Sequence, residues 1–95
     1  MIERHITFTV EPGTGGDLER FIVERYRPAM AVSPGFIRLD LLREAENPAR
    51  YQMTFRFEDA EAAAGWRTSP VHQGLQPELA ALYTTMEIVG YEVVA

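Results

Sequence analysis

The stretch GFIRLDLLREAENPARYQMTFRFED, residues 35–59, decides the fold, because it alternates twice with a period of two and turns back on itself in between. In its second half Tyr51, Met53, Phe55 and Phe57 alternate with Gln52, Thr54 and Arg56. That is the pattern of a strand with one face in a core and one outside it. In its first half, from Phe36 to Glu44, Ile37, Leu39 and Leu41 stand against Arg38 and Asp40. Glu46-Asn47-Pro48-Ala49 joins the two halves and closes a β-hairpin, since asparagine and proline favour turn backbone.

Upstream of the hairpin, Ser33-Pro34-Gly35 ends a helical pattern in which Leu18, Phe21, Ile22, Arg25 or Tyr26, and Ala29 recur on one side. Asp17 and Glu19 occupy its first turn, where negative charge suits the helix dipole, and Pro28 is expected to kink its end. A loop from Glu11 to Gly16 precedes it, with Thr14 or Gly16 as N-cap. Before that loop, Glu3 to Val10 alternates again, Arg4, Ile6, Phe8 and Val10 on one side and His5, Thr7 and Thr9 on the other. Downstream, Asp59 caps a second helix through Ala60, Ala62, Ala63, Ala64 and Trp66. It pauses at Thr68-Ser69-Pro70 and restarts through Val71, Leu75, Leu79 and Leu82, with Ser69 as cap, Pro70 at the first helical position, and a further break expected at Pro77. Met86 to Val94 is apolar and reads as a last strand.

The order is βαββαβ, an α+β ferredoxin-like layout with a four-stranded antiparallel sheet and two helices on one face, in a single domain spanning 1–95. Helices on one side leave the other face of the sheet to water or to a second subunit. A chain of 95 residues buries only roughly 60 to 65% of its unfolded surface, and with no cysteine to staple it, dimerisation is an expected source of stability. A formal charge of −5 argues against a nucleic-acid backbone or an anionic membrane as partner. All nine basic residues are arginine, so lysine Schiff-base and P-loop chemistry are excluded, as is a cysteine nucleophile. The N-terminus has no signal-peptide pattern and no stretch is apolar enough to span a membrane, so a cytoplasmic protein is expected.

Pro34-Gly35-Phe36, Leu42-Arg43, Phe57-Glu58, Trp66, Ser69-Pro70 and His72, with Leu75 to Leu82 more loosely, resemble the antibiotic-biosynthesis-monooxygenase family. The opening MIERHITFTVEPG also looks like the start of the stress-responsive α/β-barrel family of the same superfamily. The resemblance implies a homodimer in which two sheets face each other as an α+β barrel. It also implies oxidation of a small aromatic, polyketide or quinol-type compound by molecular oxygen without metal or flavin. In such chemistry the protein supplies a dry pocket, a base and stabilisation of the developing anion. A related subgroup degrades haem with a first-strand asparagine, a helix tryptophan and a histidine ten residues later; here the asparagine position falls at or near Ile6, the tryptophan is Trp66 and the histidine position holds Gln76, which disfavours haem.

Within that frame His72 and His5 are the candidate catalytic residues, imidazole being the side chain that accepts a proton near neutrality. Trp66, Arg56, Thr7 and Thr54 are the candidate substrate-binding residues, Trp66 as a wall for a flat ring and the others as the polar lining of the dimer lumen. Plainer accounts stand beside each: a core tryptophan, a capping histidine, a dimer interface whose charges pair with one another. Two histidines without ligand spacing give no metal site, and Gly13-Thr14-Gly15-Gly16 lacks the dinucleotide-binding spacing. The alternative to an enzyme is a stress-responsive or ligand-binding barrel without turnover. An enclosed cavity of roughly 300 Å³ or more beside Trp66 and a histidine would favour a ligand site of either kind.

Overall fold

The structure, a computed structural model, describes all residues from Met1 to Ala95. The elements run β1 (Ile2–Thr9), α1 (Gly15–Phe21), a π-helical turn (Ile22–Tyr26), α2 (Arg27–Ala31), β2 (Phe36–Glu44), β3 (Asn47–Phe57), α3 (Ala60–Arg67), α4 (Pro70–Ala80) and β4 (Thr85–Glu92). The strands form one antiparallel sheet in the order β2-β3-β1-β4. This is the expected ferredoxin-like α+β architecture, and α1, the π turn and α2 run on as one rod, so the sheet carries three helices rather than two. No helix is long and apolar enough to cross a membrane.

The alternation of β1 and β3 becomes the core. Ile6, Phe8 and Val10 from β1 and its end, with Tyr51, Met53, Phe55 and Phe57 from β3, are buried against Leu18, Phe21, Ile22, Tyr26, Met30, Trp66, Leu75 and Leu79 of the helices. The caps are as expected: Asp59 accepts from the Ala62 backbone N–H at 2.8 Å, and Ser69 from that of His72 at 3.1 Å. Thr14 stands at the first N-cap but bonds the Glu11 carbonyl instead of the helix.

Four local features depart from the sequence reading. The hairpin turns at Ala45-Glu46, two residues earlier than expected, and Asn47 and Pro48 belong to β3. Pro48 is tolerated because it lies at the hairpin end of β3, beyond Arg50, where the pairing with β1 ends, and has no paired partner on β2. A register shift between Phe36 and Arg38 makes Ile37 an extra residue, so Ile37 faces outward and Phe36 packs toward the core with Leu39. The π turn ends two residues before Pro28, with the Arg27 N–H bonded to the Ile22 carbonyl five residues back. Pro77 lies inside α4 without ending it.

Gly35 fixes how β2 leaves the helical rod. Its φ is +81°, its carbonyl accepts from Glu58 N–H at 2.8 Å, and a Cβ placed on it would stand 2.5 Å from the Ala62 Cβ. Gly35→Ala is therefore expected to lose about 2 to 4 kcal/mol of stability, left-handed backbone and overpacking together, in chemical denaturation. A change below about 0.5 kcal/mol would contradict the tight approach.

Candidate active site

Beneath β4 the helices stop short. The helix-side residues of this edge strand, Met86 and Ile88, remain 42% and 51% exposed although they sit beside a core of buried aromatics. Between them and the α3–α4 corner lies a cleft of about 170 Å³ lined by Arg4, Ile6, Tyr26, Phe55, Trp66, Arg67, His72, Gln76, Leu79, Met86 and Ile88. Larger depressions exist elsewhere, such as one of about 390 Å³ that includes Thr7 and Arg50, but that one is lined mainly by polar and charged side chains. The smaller cleft combines three aromatic walls, Tyr26, Phe55 and Trp66, with a few polar side chains, which is the composition of ligand sites. Its volume is about half the size expected from sequence. An apolar cavity of about 150 Å³ holds a benzene ring, so this one suits a single ring, with anything larger reaching out past β4.

The α3–α4 corner sets the geometry. The Ser69 hydroxyl donates to the Trp66 carbonyl at 2.8 Å while accepting from the His72 backbone N–H, which ties the tryptophan to the histidine. Trp66 and His72 rings meet edge-on at 5.1 Å, and Tyr26 closes the group edge-on to Trp66 at 5.6 Å. His72 Nδ1 lies 2.8 Å from the Arg67 carbonyl oxygen, which can only accept, so Nδ1 carries the proton. Nε2 then holds the lone pair and accepts from the Gln76 amide at 2.6 Å. Burial pushes the His72 pKa down, the Arg67 carbonyl partly offsets this, and the positive charges of Arg4 and Arg67 push it further down. The imidazole is thus neutral at neutral pH, with the nitrogen that can take a proton held by an exchangeable amide.

Trp66 is 3% exposed and its Nε1–H is buried without a hydrogen-bond partner. Burial pushes the Tyr26 hydroxyl up to about 12, opposed by the nearby indole N–H, which it approaches without satisfying. A buried donor without an acceptor costs about 1 to 3 kcal/mol, and a ligand oxygen reaching it would remove that cost.

The residues expected to form one site fall on two sides of the sheet. His72 and Trp66 share the cleft. His5, Thr7, Thr54 and Arg56 lie on the opposite, helix-free face, where β1–β3 register sets His5 across from Thr54 and Glu3 across from Arg56. There Glu3 gathers the charges: His5 Nε2 stands 2.7 Å away, Arg56 2.7 Å and Arg38 3.4 Å. The His5 ring packs on Tyr91 of β4 at 4.7 Å. The sequence reading missed Arg4, Tyr26, Arg67 and Gln76 as site residues. Arg4 carried a signal, since it is the one charge in phase with Ile6, Phe8 and Val10 on the core side of its strand.

The bonds from His5 first, then those from Arg56 and Arg38, hold the Glu3 carboxyl at about 2, below its ordinary 4.5. A lowered folded-state value stabilises the fold fully above about 4.5 and loses that contribution as pH falls toward 2. Wild-type protein should therefore lose more thermal stability between pH 4.5 and 2 than Glu3→Gln does, as read by melting curves; parallel acid limbs would contradict the cluster.

A family model described as antibiotic biosynthesis monooxygenase matches residues 1–78, a span that includes Arg4, Trp66, His72 and Gln76. Among solved structures, a variant of SnoaB, a cofactor-independent oxygenase from Streptomyces nogalater, superposes with a TM-score of 0.88 at 26% identity, covering 97% of this chain and 91% of that one. A provisionally assigned antibiotic biosynthesis monooxygenase from Deinococcus radiodurans gives 0.88 at 18% identity over 100% of this chain and 94% of that one. Rv0793 from Mycobacterium tuberculosis gives 0.84 at 15% identity, over 99% and 95%. Among curated proteins, none matches this sequence.

Proposed function

The chain belongs to the antibiotic biosynthesis monooxygenase family, and from that premise we propose that it oxidises a small aromatic, polyketide or quinol-type compound with molecular oxygen, without a cofactor, in the Trp66–His72 cleft. The observation that carries the reading is that Trp66 and His72 wall one cleft, the first with a buried indole N–H that lacks an acceptor, the second as a neutral imidazole whose Nε2 lone pair is held only by a glutamine amide. The resemblance to SnoaB, itself described as a cofactor-independent oxygenase, supports the same reaction class.

The chemistry follows from those groups. A phenol or activated methylene entering the cleft displaces the Gln76 amide and gives its proton to His72 Nε2. The resulting delocalised anion passes one electron to oxygen. Recombination of the two radicals forms a carbon–oxygen bond and a peroxide anion, which takes the proton back; for a methylene substrate, loss of water then leaves a carbonyl. Trp66 Nε1–H donates to the oxygen on which charge develops, and Tyr26, Phe55 and Leu79 keep that region dry, where such a bond counts for more.

The helix-free face is, in this reading, the interface of a homodimer acting in the cytoplasm, with His5, Arg56, Thr7 and Thr54 lining the lumen between two sheets. Light scattering at micromolar concentration should give twice the 10.8 kDa of one chain; a monomeric mass would remove the dimer. Activity is tested by oxygen uptake of metal-stripped protein with a panel of hydroquinones and anthrones, against a protein-free blank. Uptake above the blank that falls in Trp66→Phe and His72→Ala supports the reading. Binding of the same compounds with no uptake would favour a ligand-binding barrel without turnover, which the small volume of the cleft also fits.

A further inference from the structure

The chain's arginines are not used alike. Arg20, Arg25, Arg38, Arg43, Arg50 and Arg56 each have a carboxylate partner, and Arg27 donates to the Leu39 carbonyl. Arg4 and Arg67 alone have neither a carboxylate within ion-pairing distance nor a side-chain hydrogen bond, and both line the Trp66–His72 cleft. The cleft contains no aspartate or glutamate, in a chain that has 14 of them. Two unpaired cations lining one cleft are unfavourable in the empty state, and Arg4 is lowered first by its burial and then by the charge of Arg67. Such an arrangement persists where an anion is to be bound, since planar guanidinium forks match a carboxylate in geometry and charge.

We propose that the substrate of this cleft is an aromatic anion, a phenol or quinol bearing a carboxylate, with its ring against Trp66 and its carboxylate between Arg4 and Arg67. The inference rests on the reading of the cleft as the substrate site and narrows its ligand class. Arg4 stands on β1 across from Gly90 of β4, a position without a side chain and with open space around it, so a carboxylate held there does not collide with the edge strand. Arg67, at the exposed end of α3, reaches the same anion from the helix side and adds to the local positive field that would draw it in against a net charge of −5.

The test is calorimetric titration under argon with two probes of one ring each, 2,5-dihydroxybenzoate and its methyl ester, against wild type, Arg4→Gln and Arg67→Gln. The acid is expected to bind at least about tenfold more tightly than the ester, with that preference shrinking as salt is raised. Arg4→Gln should remove most of it. Arg67→Gln, at an exposed position where folding is not at risk, should reduce it by about threefold, and in both variants the loss should fall on the acid more than on the ester. Equal affinities of acid and ester for wild type would overturn the anion site while leaving the aromatic cleft in place. Heats at the level of dilution for both probes would overturn the cleft as substrate site and this inference with it.

Discussion

Trp66→Ala is expected to destabilise the protein by about 3 to 5 kcal/mol, enough to lower the melting temperature by more than about 10 °C in a chain this short. The indole is almost wholly buried, packs edge-on against Tyr26 and His72, and fills the corner where α3 gives way to α4 under β3. Its removal leaves a void that the Ser69 hydroxyl, bridging the Trp66 carbonyl and the His72 N–H, holds open rather than letting it collapse. Trp66→Phe separates the two roles of the side chain. Phenylalanine keeps most of the apolar contact and removes the N–H that has no partner, so stability should change by less than about 1.5 kcal/mol. If the N–H serves only to fill space, Trp66→Phe will oxidise substrate as the wild type does; on the present account turnover falls about 10²-fold, the effect of losing one donor to a developing oxyanion. Denaturant unfolding and oxygen uptake on the two variants give both numbers.

His72→Ala should lower turnover by about 10² to 10⁴-fold with little effect on folding, because the ring is only half-buried and the cap at Ser69 uses the backbone of residue 72 rather than its imidazole. The pH profile offers a second reading of the same residue. Burial and the neighbouring arginines lower the His72 pKa, so the base form dominates down to a pH below the ordinary 6.5. Turnover should rise with pH through a value under 6.5 and be flat at neutrality, and Arg67→Gln, by removing one positive neighbour, should move that limb upward. A limb unmoved in His72→Gln would assign it to another group. His5, the other histidine, lies across the sheet with Glu3 as partner; a loss in His5→Ala as large as that in His72→Ala would move the chemistry to the open face.

Sequence alone carried the sheet and most of the core, because a period of two along Glu3–Val10 and Tyr51–Phe57 leaves one assignment of faces, and because Asp59 and Ser69 mark helix starts by their side-chain chemistry. What it did not carry depends on packing at a distance. The outward turn of Ile37 follows from a register shift against β3, and α4 runs on through Pro77, where local sequence alone predicts a break. The site was half legible. Trp66 and His72 were singled out and do meet, but the polar face of the sheet drew His5, Arg56, Thr7 and Thr54 into the same set, and alternation cannot say which face of a half-covered sheet carries a cleft. Arg4 was placed in phase with Ile6 and Phe8 but not singled out as a site residue, although a charge on the core side of a strand fits an opening beside it. The opening comes from β4, whose helix-side residues no helix covers, a property of helix placement with no local signature in the strand.

The central claim, that the ligand sits against Trp66 beneath β4 and not in the lumen on the other face, has a direct probe because the chain has one tryptophan and so one indole N–H resonance. Nitrogen–proton correlation spectra of the metal-free protein under argon would be followed while 2,5-dihydroxybenzoate is added. The account predicts that the indole proton moves to lower field and saturates as its missing acceptor arrives, with the amides of His72 and Arg4 moving alongside. An indole resonance that stays in place while the amides of Thr7, Thr54 and Arg56 shift would put the ligand on the open face and contradict it.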